Sequence, residues 1–100
     1  MNDREIANKI VASGVGEKSG RINAHYRLKA LPGWHFDDAE TFVRDWRVAG
    51  AMMEMVDNVE LSKLPNGEWE ASVYAEGRGL AFNESPPRAI NEACCEAINE

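Results

Sequence analysis

The clearest pattern of apolar and polar positions lies near the C-terminal end of the chain and predicts a helix. Ser85 is placed to cap this helix, and Pro86 follows at the first helical position, where its missing N–H costs nothing. Apolar residues then recur at helical spacing, at Ile90, Ala93, Cys94, Ala97 and Ile98. The pattern predicts that Cys94 lies on a buried face and that Cys95 lies at its flank.

Helical spacing also predicts a helix from about Asp3 to Ser13, capped by Asn2 or Asp3 and stopped by Gly14. Its apolar stripe is narrow and consists of Ile6, Ala7, Ile10 and Val11. We therefore expect this helix to dock loosely on the rest of the chain, or to dock on a partner.

Two further helical stretches are predicted in the middle of the chain. Asp37 or Asp38 caps a short one, and Asp45 caps a second one from Trp46 to about Val56. The second has an apolar face formed by Val48, Ala51, Met52, Met55 and Val56. Gly50 inside it has a low helix propensity, which indicates close backbone packing at that point.

Alternation of side chains predicts antiparallel strands between these helices and the last one. Val59–Leu64 forms a strand, and residues 65–67 form a hairpin turn in which Asn-Gly supplies the positive φ angles. The return strand, Trp69–Ala75, has an apolar face and an opposite face that carries Glu68, Glu70, Ser72, Tyr74 and Glu76. Residues 77–79 break this strand, and Leu80–Phe82 is a candidate third strand.

These elements predict an α+β fold, in which a small antiparallel sheet of two or three strands packs with two amphipathic helices and an N-terminal helix. A chain of 100 residues supports a single domain. We divide it into an N-terminal helix and basic loop segment, residues 1–30, and an α–β–α sandwich-like core, residues 31–100. Residues 14–20 are expected to form a flexible linker rather than a phosphate-binding loop, since such a loop follows a strand and opens a helix, and neither is predicted here. Residues 21–36 are ambiguous, apart from a turn at Pro32-Gly33.

The charge is unevenly distributed along the chain. Residues 1–36 carry six basic and three acidic side chains, a net charge of +3, and residues 37–100 carry five basic and fourteen acidic ones, a net charge of −9. An acidic body favours a partner with a basic surface, either a protein or a protein–RNA complex, and argues against direct binding of nucleic acid. The alternative is that the acidity serves only solubility.

The sequence offers little catalytic chemistry. His25 and His35 are not in metal-ligand spacing, and the serines are not part of a nucleophile motif. We therefore predict no enzyme activity, no catalytic residue, no metal and no cofactor. The adjacent cysteines favour free thiols and a cytoplasmic location, and we expect no membrane segment and no secretory signal.

The tryptophans offer a candidate binding feature. Trp69 is assigned to the core by alternation, and Trp46 is expected to pack on Phe42, one helical turn back. Trp34 follows a Pro-Gly turn beside an acidic cluster, as an interface anchor would. The alternative is that Trp34 folds back onto the core.

Three segments carry a resemblance to a known family. They are LPGWHFDDAETF leading into DWRVAGAMMEMV, the strand GEWEASVYAEG, and the capped helix NESPPRAINEACCEAI. Over about Leu31 to Glu96 they resemble the phage ABA-sandwich (α–β–α) domain of small phage and prophage proteins. The resemblance implies a phage protein with no catalytic residues, present in the cytoplasm of a bacterial host. In size and acidity the chain is also similar to type I anti-CRISPR proteins.

We therefore predict a small acidic inhibitor that evades host defence by binding a host protein complex. Its expected target is a CRISPR surveillance complex of the Cascade or Csy type, whose binding of nucleic acid it would block. The candidate contacts are Trp34, Asp37, Asp38, Glu40, Asp45, Glu54, Asp57, Glu68, Glu70 and Glu76. An alternative is a phage accessory protein that binds nucleic acid through Arg21, Arg27 and Lys29 around Tyr26. A third hypothesis is an enzyme whose pocket the sequence does not reveal.

Overall fold

Helices and two small antiparallel sheets make up the computed structural model, which describes residues 1–18 and 25–98. In chain order the described elements are α1 (Asp3–Ala12), β1 (Gly16–Lys18), β2 (Tyr26–Leu28), β3 (His35–Phe36), α2 (Ala39–Val43), α3 (Trp46–Met53), β4 (Asn58–Lys63), β5 (Trp69–Tyr74), β6 (Arg78–Asn83) and α4 (Pro86–Ile98). The strand orders are β1-β2-β3 and β4-β5-β6, and every pairing is antiparallel. The predicted α+β class is confirmed, with a second sheet that the sequence did not predict.

Helix α4 lies at the centre of the fold and packs against α1, α3, β5 and β6. It is buried around most of its circumference, so the prediction that Cys95 lies at an exposed flank is wrong. Helix α1 covers that side, and the sulfur of Cys95 lies 3.8 Å from the carbonyl oxygen of Ile6. On another side, Asn91 Nδ2 donates a hydrogen bond of 2.9 Å to the carbonyl of Val43.

The sheet of β4, β5 and β6 presents only small or β-branched buried residues to α4. Ala71, Val73 and Ala81 are buried there. Gly79 lies inside β6 and not in a break, and a Cβ atom at this position would lie 2.6 Å from the carbonyl carbon of Ala93. A glycine is therefore required where the helix backbone lies against the strand.

The β4–β5 hairpin confirms the predicted turn but not all of its backbone geometry. The Gly67 N–H donates to the carbonyl of Leu64, and Gly67 has a φ of 89°. Among the described residues positive φ angles occur only at glycine, so Asn66 does not share this conformation. The turn is thus closed by a single glycine.

Helix α1 docks firmly on the core, so the prediction of loose or partner-dependent docking is wrong. Ile6, Ala7 and Ile10 are fully buried. The helix begins with a capping box between Asn2 and Glu5, and Gly14, with a φ of 91°, follows its end. The burial of only three apolar residues is enough to hold α1 on the core, because the neighbouring helices and strand β1 enclose its narrow apolar stripe.

The first sheet replaces part of the predicted linker. Gly16 begins β1 and is buried, so the linker prediction is wrong for residues 16–18, while residues 19–24 lie outside the described residues. Tyr26 stacks on Phe42 with 5.2 Å between ring centroids, and Phe36 packs edge-on against the same ring at 5.3 Å. This aromatic cluster joins the first sheet to α2.

Helix α3 ends three residues earlier than predicted, at Met53. Val48, Ala49 and Met52 provide its buried face, which leaves Met55 exposed beyond the helix end. Apart from the adjacent residues and the backbone of α3 itself, no heavy atom of the described residues would lie within 4 Å of a Cβ at Gly50, so the prediction of close backbone packing there is wrong. None of the described helices combines the length and apolar character that crossing a bilayer requires.

Candidate interaction surfaces

The side of the second sheet that faces away from α4 does not pack against another described helix or strand, and we call it the open face. Its position follows from alternation, because neighbouring residues of a strand point to opposite faces and Ala71, Val73 and Ala81 are buried against the helix. Strand register then gives the open face three rows of side chains, which are Asn58, Tyr74 and Arg78; Glu60, Ser72 and Leu80; and Ser62, Glu70 and Phe82.

Three large apolar side chains of the open face are exposed to solvent. Tyr74 is 39% exposed, Leu80 42% and Phe82 45%. Leu80 and Phe82 are two residues apart on β6, and Tyr74 lies diagonally across from Leu80 on β5. They therefore form one strip along β5 and β6. The guanidinium of Arg78 lies 5.3 Å from the ring centroid of Tyr74 at one end of this strip.

Ser72 occupies the middle of the open face. Its neighbours leave it 7% exposed, and its hydroxyl oxygen is buried with no hydrogen-bond partner among the described residues. A buried hydroxyl without a partner is destabilising. Within the described residues, the hydroxyl of Ser72 thus contributes no hydrogen bond to the centre of the face.

The segment from Glu54 to Glu84, which contains this sheet, is strongly acidic. It has seven carboxylates and two basic side chains, a net charge of −5. None of the seven carboxylates forms an ion pair with the described residues. Both cations lie over aromatic rings, with Lys63 Nζ 5.7 Å from the centroid of Trp69 and Arg78 over Tyr74. Its negative charge is therefore available to a partner.

Several predicted acidic contacts instead have structural roles. Asp38 caps α2 and Asp45 caps α3. A backbone hydrogen bond from Thr41 lowers the pKa of Asp38. A side-chain hydrogen bond from Arg47 lowers the pKa of Asp45, and Asp45 correspondingly raises the pKa of Arg47. These carboxylates contribute to helix capping whether or not they also bind a partner.

The remaining predicted acidic contacts do not form one surface. Glu68 and Glu76 flank opposite ends of β5, and Glu70 lies on the open face. Asp57, Glu76 and Met55 line a cleft of about 380 Å³. Glu54 is the C-terminal cap of α3. Glu68 lines a second cleft of about 340 Å³, and Asp38 and Glu40 line a third, of about 550 Å³. Asp37 is exposed, with its carboxylate 3.9 Å from His25 Nε2.

Trp34, the predicted anchor, is 52% exposed and has one ring face covered. The guanidinium carbon of Arg47 lies 4.0 Å from its ring centroid, and Arg47 forms two hydrogen bonds with the carboxylate of Asp45. Trp46 is 56% exposed, and the ring contacts of Phe42 among the described residues are with Tyr26 and Phe36, not with Trp46 as predicted. Trp34 is therefore available to a partner but lies outside the open face.

Of the residues proposed for nucleic-acid binding, Tyr26 and Arg27 are engaged within the described part of the chain. Tyr26 is buried against Phe42, and Arg27 forms an ion pair with Glu17. Lys29 is exposed, and Arg21 lies outside the described residues. A buried tyrosine ring is not accessible for stacking with a base.

The cysteine thiols are positioned for packing. Cys94 and Cys95 are buried, and burial raises the pKa of each thiol to about 12. Thiols with such a pKa are poor nucleophiles at neutral pH. Within residues 1–18 and 25–98, no group of three histidine, cysteine or carboxylate side chains is arranged to hold a metal ion.

Sequence reasoning found Glu70 on the open face but missed most of the side chains that are exposed there. Glu60, Leu80 and Phe82 were not among the predicted contacts, and Tyr74 was assigned to the correct strand face without a role. The signal that could have found them is the alternation of Arg78, Leu80 and Phe82 with Gly79 and Ala81. Comparisons of the chain with models of protein families, with curated proteins and with solved structures found no match.

Proposed function

We propose that this chain is a non-catalytic inhibitor that docks through its acidic β4–β6 region on a basic, nucleic-acid-binding surface of a host complex. The observation that carries the proposal is the set of seven carboxylates between Glu54 and Glu84, none of which pairs with a cation of the described chain. The target we favour is a CRISPR surveillance complex, through the resemblance to phage proteins.

The distribution of ion pairs supports this proposal. Four arginines of the described chain, Arg27, Arg44, Arg47 and Arg88, pair with carboxylates outside the β4–β6 region. The fold thereby uses its cations to hold helices and loops together, and it leaves the acidic strands unpaired. A surface with unpaired charge of one sign attracts a partner of the opposite sign and accelerates their encounter.

The experiment measures whether the chain prevents a purified Cascade- or Csy-type complex from shifting its target DNA in a gel. We expect inhibition that weakens as salt rises from about 50 to 500 mM, because salt screens exposed charges over shorter distances. Inhibition should also weaken in the double variant Glu70→Gln with Glu76→Gln. The matched control, Glu5→Gln with Glu100→Gln, removes the same charge outside residues 54–84 and should inhibit normally.

Two outcomes would overturn the proposal. One is that the wild-type chain leaves DNA binding by the complex unchanged at every salt concentration. The other is that the chain alone shifts the DNA, which would favour the predicted accessory protein that binds nucleic acid. In that case Arg21→Ala and Lys29→Ala should reduce the shift, since phosphate contacts require cations.

A further inference from the structure

We infer that the open face of the β4–β5–β6 sheet is the docking surface of this protein, and that its partner presents a basic amphipathic helix. The inference rests on the proposed function for the basic character of the partner, and it adds the location and shape of the contact. It joins two observations, the apolar strip of Tyr74, Leu80 and Phe82 and the unpaired carboxylates of Glu60 and Glu70 beside it.

The apolar strip has the composition of an interface centre. Aromatic residues are enriched at the energetically dominant positions of protein interfaces, where they enter apolar pockets. Single exposed apolar residues are common on protein surfaces, whereas a contiguous group indicates a contact site. Here Leu80 and Phe82 lie next to each other on one face of β6, and Tyr74 lies beside them on the neighbouring strand β5. Each of the three is more than a third exposed.

The charges beside the strip select a basic partner. Glu60 lies on β4 in the row of Leu80, and Glu70 lies directly opposite Phe82 on β5. Lysine or arginine side chains that flank the apolar stripe of a partner would meet these two carboxylates. The same carboxylates disfavour nucleic acid, whose phosphates they would repel.

The size of the face favours a helix over a second copy of this chain. Three strands of six residues span about 20 Å by 14 Å, or about 300 Å², using ordinary strand dimensions. A stable dimer buries about 800 Å² on each partner. Two such faces would also bring four carboxylates, Glu60 and Glu70 of each copy, into one small interface. A helix of about 13 residues matches the 20 Å length of the strands.

The experiment uses a synthetic peptide of about 14 residues, built from leucine and lysine in an amphipathic helical pattern, as the probe. It is titrated into the ¹⁵N-labelled full chain, and amide shifts are followed by NMR. We expect shifts centred on residues 70–74 and 78–82. A leucine–glutamate peptide of the same pattern should not bind, because Glu60 and Glu70 would repel it.

Variants locate the contact on the open face. Leu80→Thr with Phe82→Thr should weaken binding of the leucine–lysine peptide at least about tenfold, as loss of interface anchors does. Glu60→Gln with Glu70→Gln should weaken it and flatten its salt dependence. The control Leu31→Thr with Trp46→Thr removes exposed apolar side chains elsewhere and should bind normally.

Three results would overturn the inference. They are shifts centred on the Met55–Asp57–Glu76 cleft or on Trp34, equal binding of the leucine–glutamate peptide, and self-association in sedimentation that Leu80→Thr with Phe82→Thr abolishes. The same variants in the DNA-shift assay separate this inference from the proposed function. Inhibition that survives loss of Leu80 and Phe82 overturns the docking surface alone. If the wild-type chain does not inhibit DNA binding by the complex but still binds the leucine–lysine peptide, only the proposed target is overturned.

Discussion

The two faces of the β4–β5–β6 sheet differ in the size of the side chains that β5 and β6 carry at their centres. An antiparallel sheet with one buried face normally has its large apolar side chains inside and polar ones outside. Here the central positions of the buried face carry Ala71, Val73, Gly79 and Ala81, while the open face carries Tyr74, Leu80 and Phe82. The buried face is thus small enough for close approach of a helix, and the open face is large enough to anchor a partner.

This difference indicates that the two faces are under different constraints. On the buried side a Cβ atom added at Gly79 would overlap the backbone of α4 at Ala93, so close packing limits the sequence there. On the open side Tyr74, Leu80 and Phe82 are each more than a third exposed, so burial among the described residues does not fully account for their size. Their size is explained if they meet a partner. The following predictions test this contrast in order of decreasing effect.

The largest effect is expected for Gly79→Ala. The new methyl group would lie within van der Waals distance of the Ala93 carbonyl, so α4 would have to move away from the sheet. We expect a loss of about 3 kcal/mol or more in the free energy of unfolding, measured by urea denaturation.

The matched control for this variant is Gly50→Ala in α3, where the added methyl group meets no neighbour within 4 Å. It should stabilise the chain by about 0.5–1 kcal/mol through helix propensity. Similar stability for the two glycine variants would contradict the close helix–sheet contact.

The second prediction compares the same kind of substitution on the two faces. Val73→Thr places a hydroxyl on the buried face and should cost about 1–3 kcal/mol, because it removes a polar group from water. Leu80→Thr with Phe82→Thr on the open face should cost less than about 1 kcal/mol, since threonine retains strand propensity. Urea denaturation measures both, and an equal or greater loss for the open-face variant would mean that Leu80 and Phe82 serve the fold.

The third prediction concerns the charges on the helix side, which are paired. Asp3 accepts hydrogen bonds of 2.7 Å from both Arg44 and Arg88. Burial acts to raise the pKa of Asp3, but these bonds and charges outweigh it and lower the pKa below 3.8. Asp3→Asn should cost about 1–2 kcal/mol at neutral pH.

The pH dependence of the free energy of unfolding tests whether the ionised form of Asp3 is the one that stabilises the fold. Because the pKa of Asp3 is lower in the folded chain, its contribution is fully present above the unfolded value of 3.8 and is lost as pH falls through the folded value. The stability difference between wild type and Asp3→Asn should therefore shrink below about pH 4. Asp37→Asn, at an exposed carboxylate, is the control. A difference that stays constant down to pH 2 would contradict the role of the ionised carboxylate.

The smallest effect is expected at Ser72. Ser72→Ala removes a buried hydroxyl that has no hydrogen-bond partner in the described chain, and we expect the free energy of unfolding to rise by up to about 0.5 kcal/mol. Thermal unfolding by calorimetry measures the change. A clear loss of stability would show that the hydroxyl is satisfied in solution.

Local sequence signals were sufficient to predict those elements whose caps and turns depend on neighbouring residues. The proline-opened helix α4, the caps at Asp38 and Asp45 and the Gly67 turn depend on neighbouring residues, and each lies where it was predicted. Alternation along β5 also placed Glu70 and Tyr74 on the face opposite Val73. These features could be predicted because their physical causes extend over only a few residues.

Features that depend on distant parts of the chain were missed. The strands of the first sheet have only two or three residues each, too few for alternation to be recognised. The burial of Cys95 depends on α1, which lies almost ninety residues earlier in the chain. Gly79 was read as a strand break because its requirement comes from Ala93. The apolar strip was missed because the register of β6 was unknown.

The central position of α4 also has a consequence for synthesis of the protein. Residues 86–98 pack against elements that include α1 at the other end of the described chain. The core therefore cannot close while the ribosome is still producing this segment, although chains generally begin to fold from their N-terminal parts during translation. Until α4 emerges, both faces of the β4–β5–β6 sheet are uncovered, so we expect the nascent chain to be a substrate for ribosome-associated chaperones.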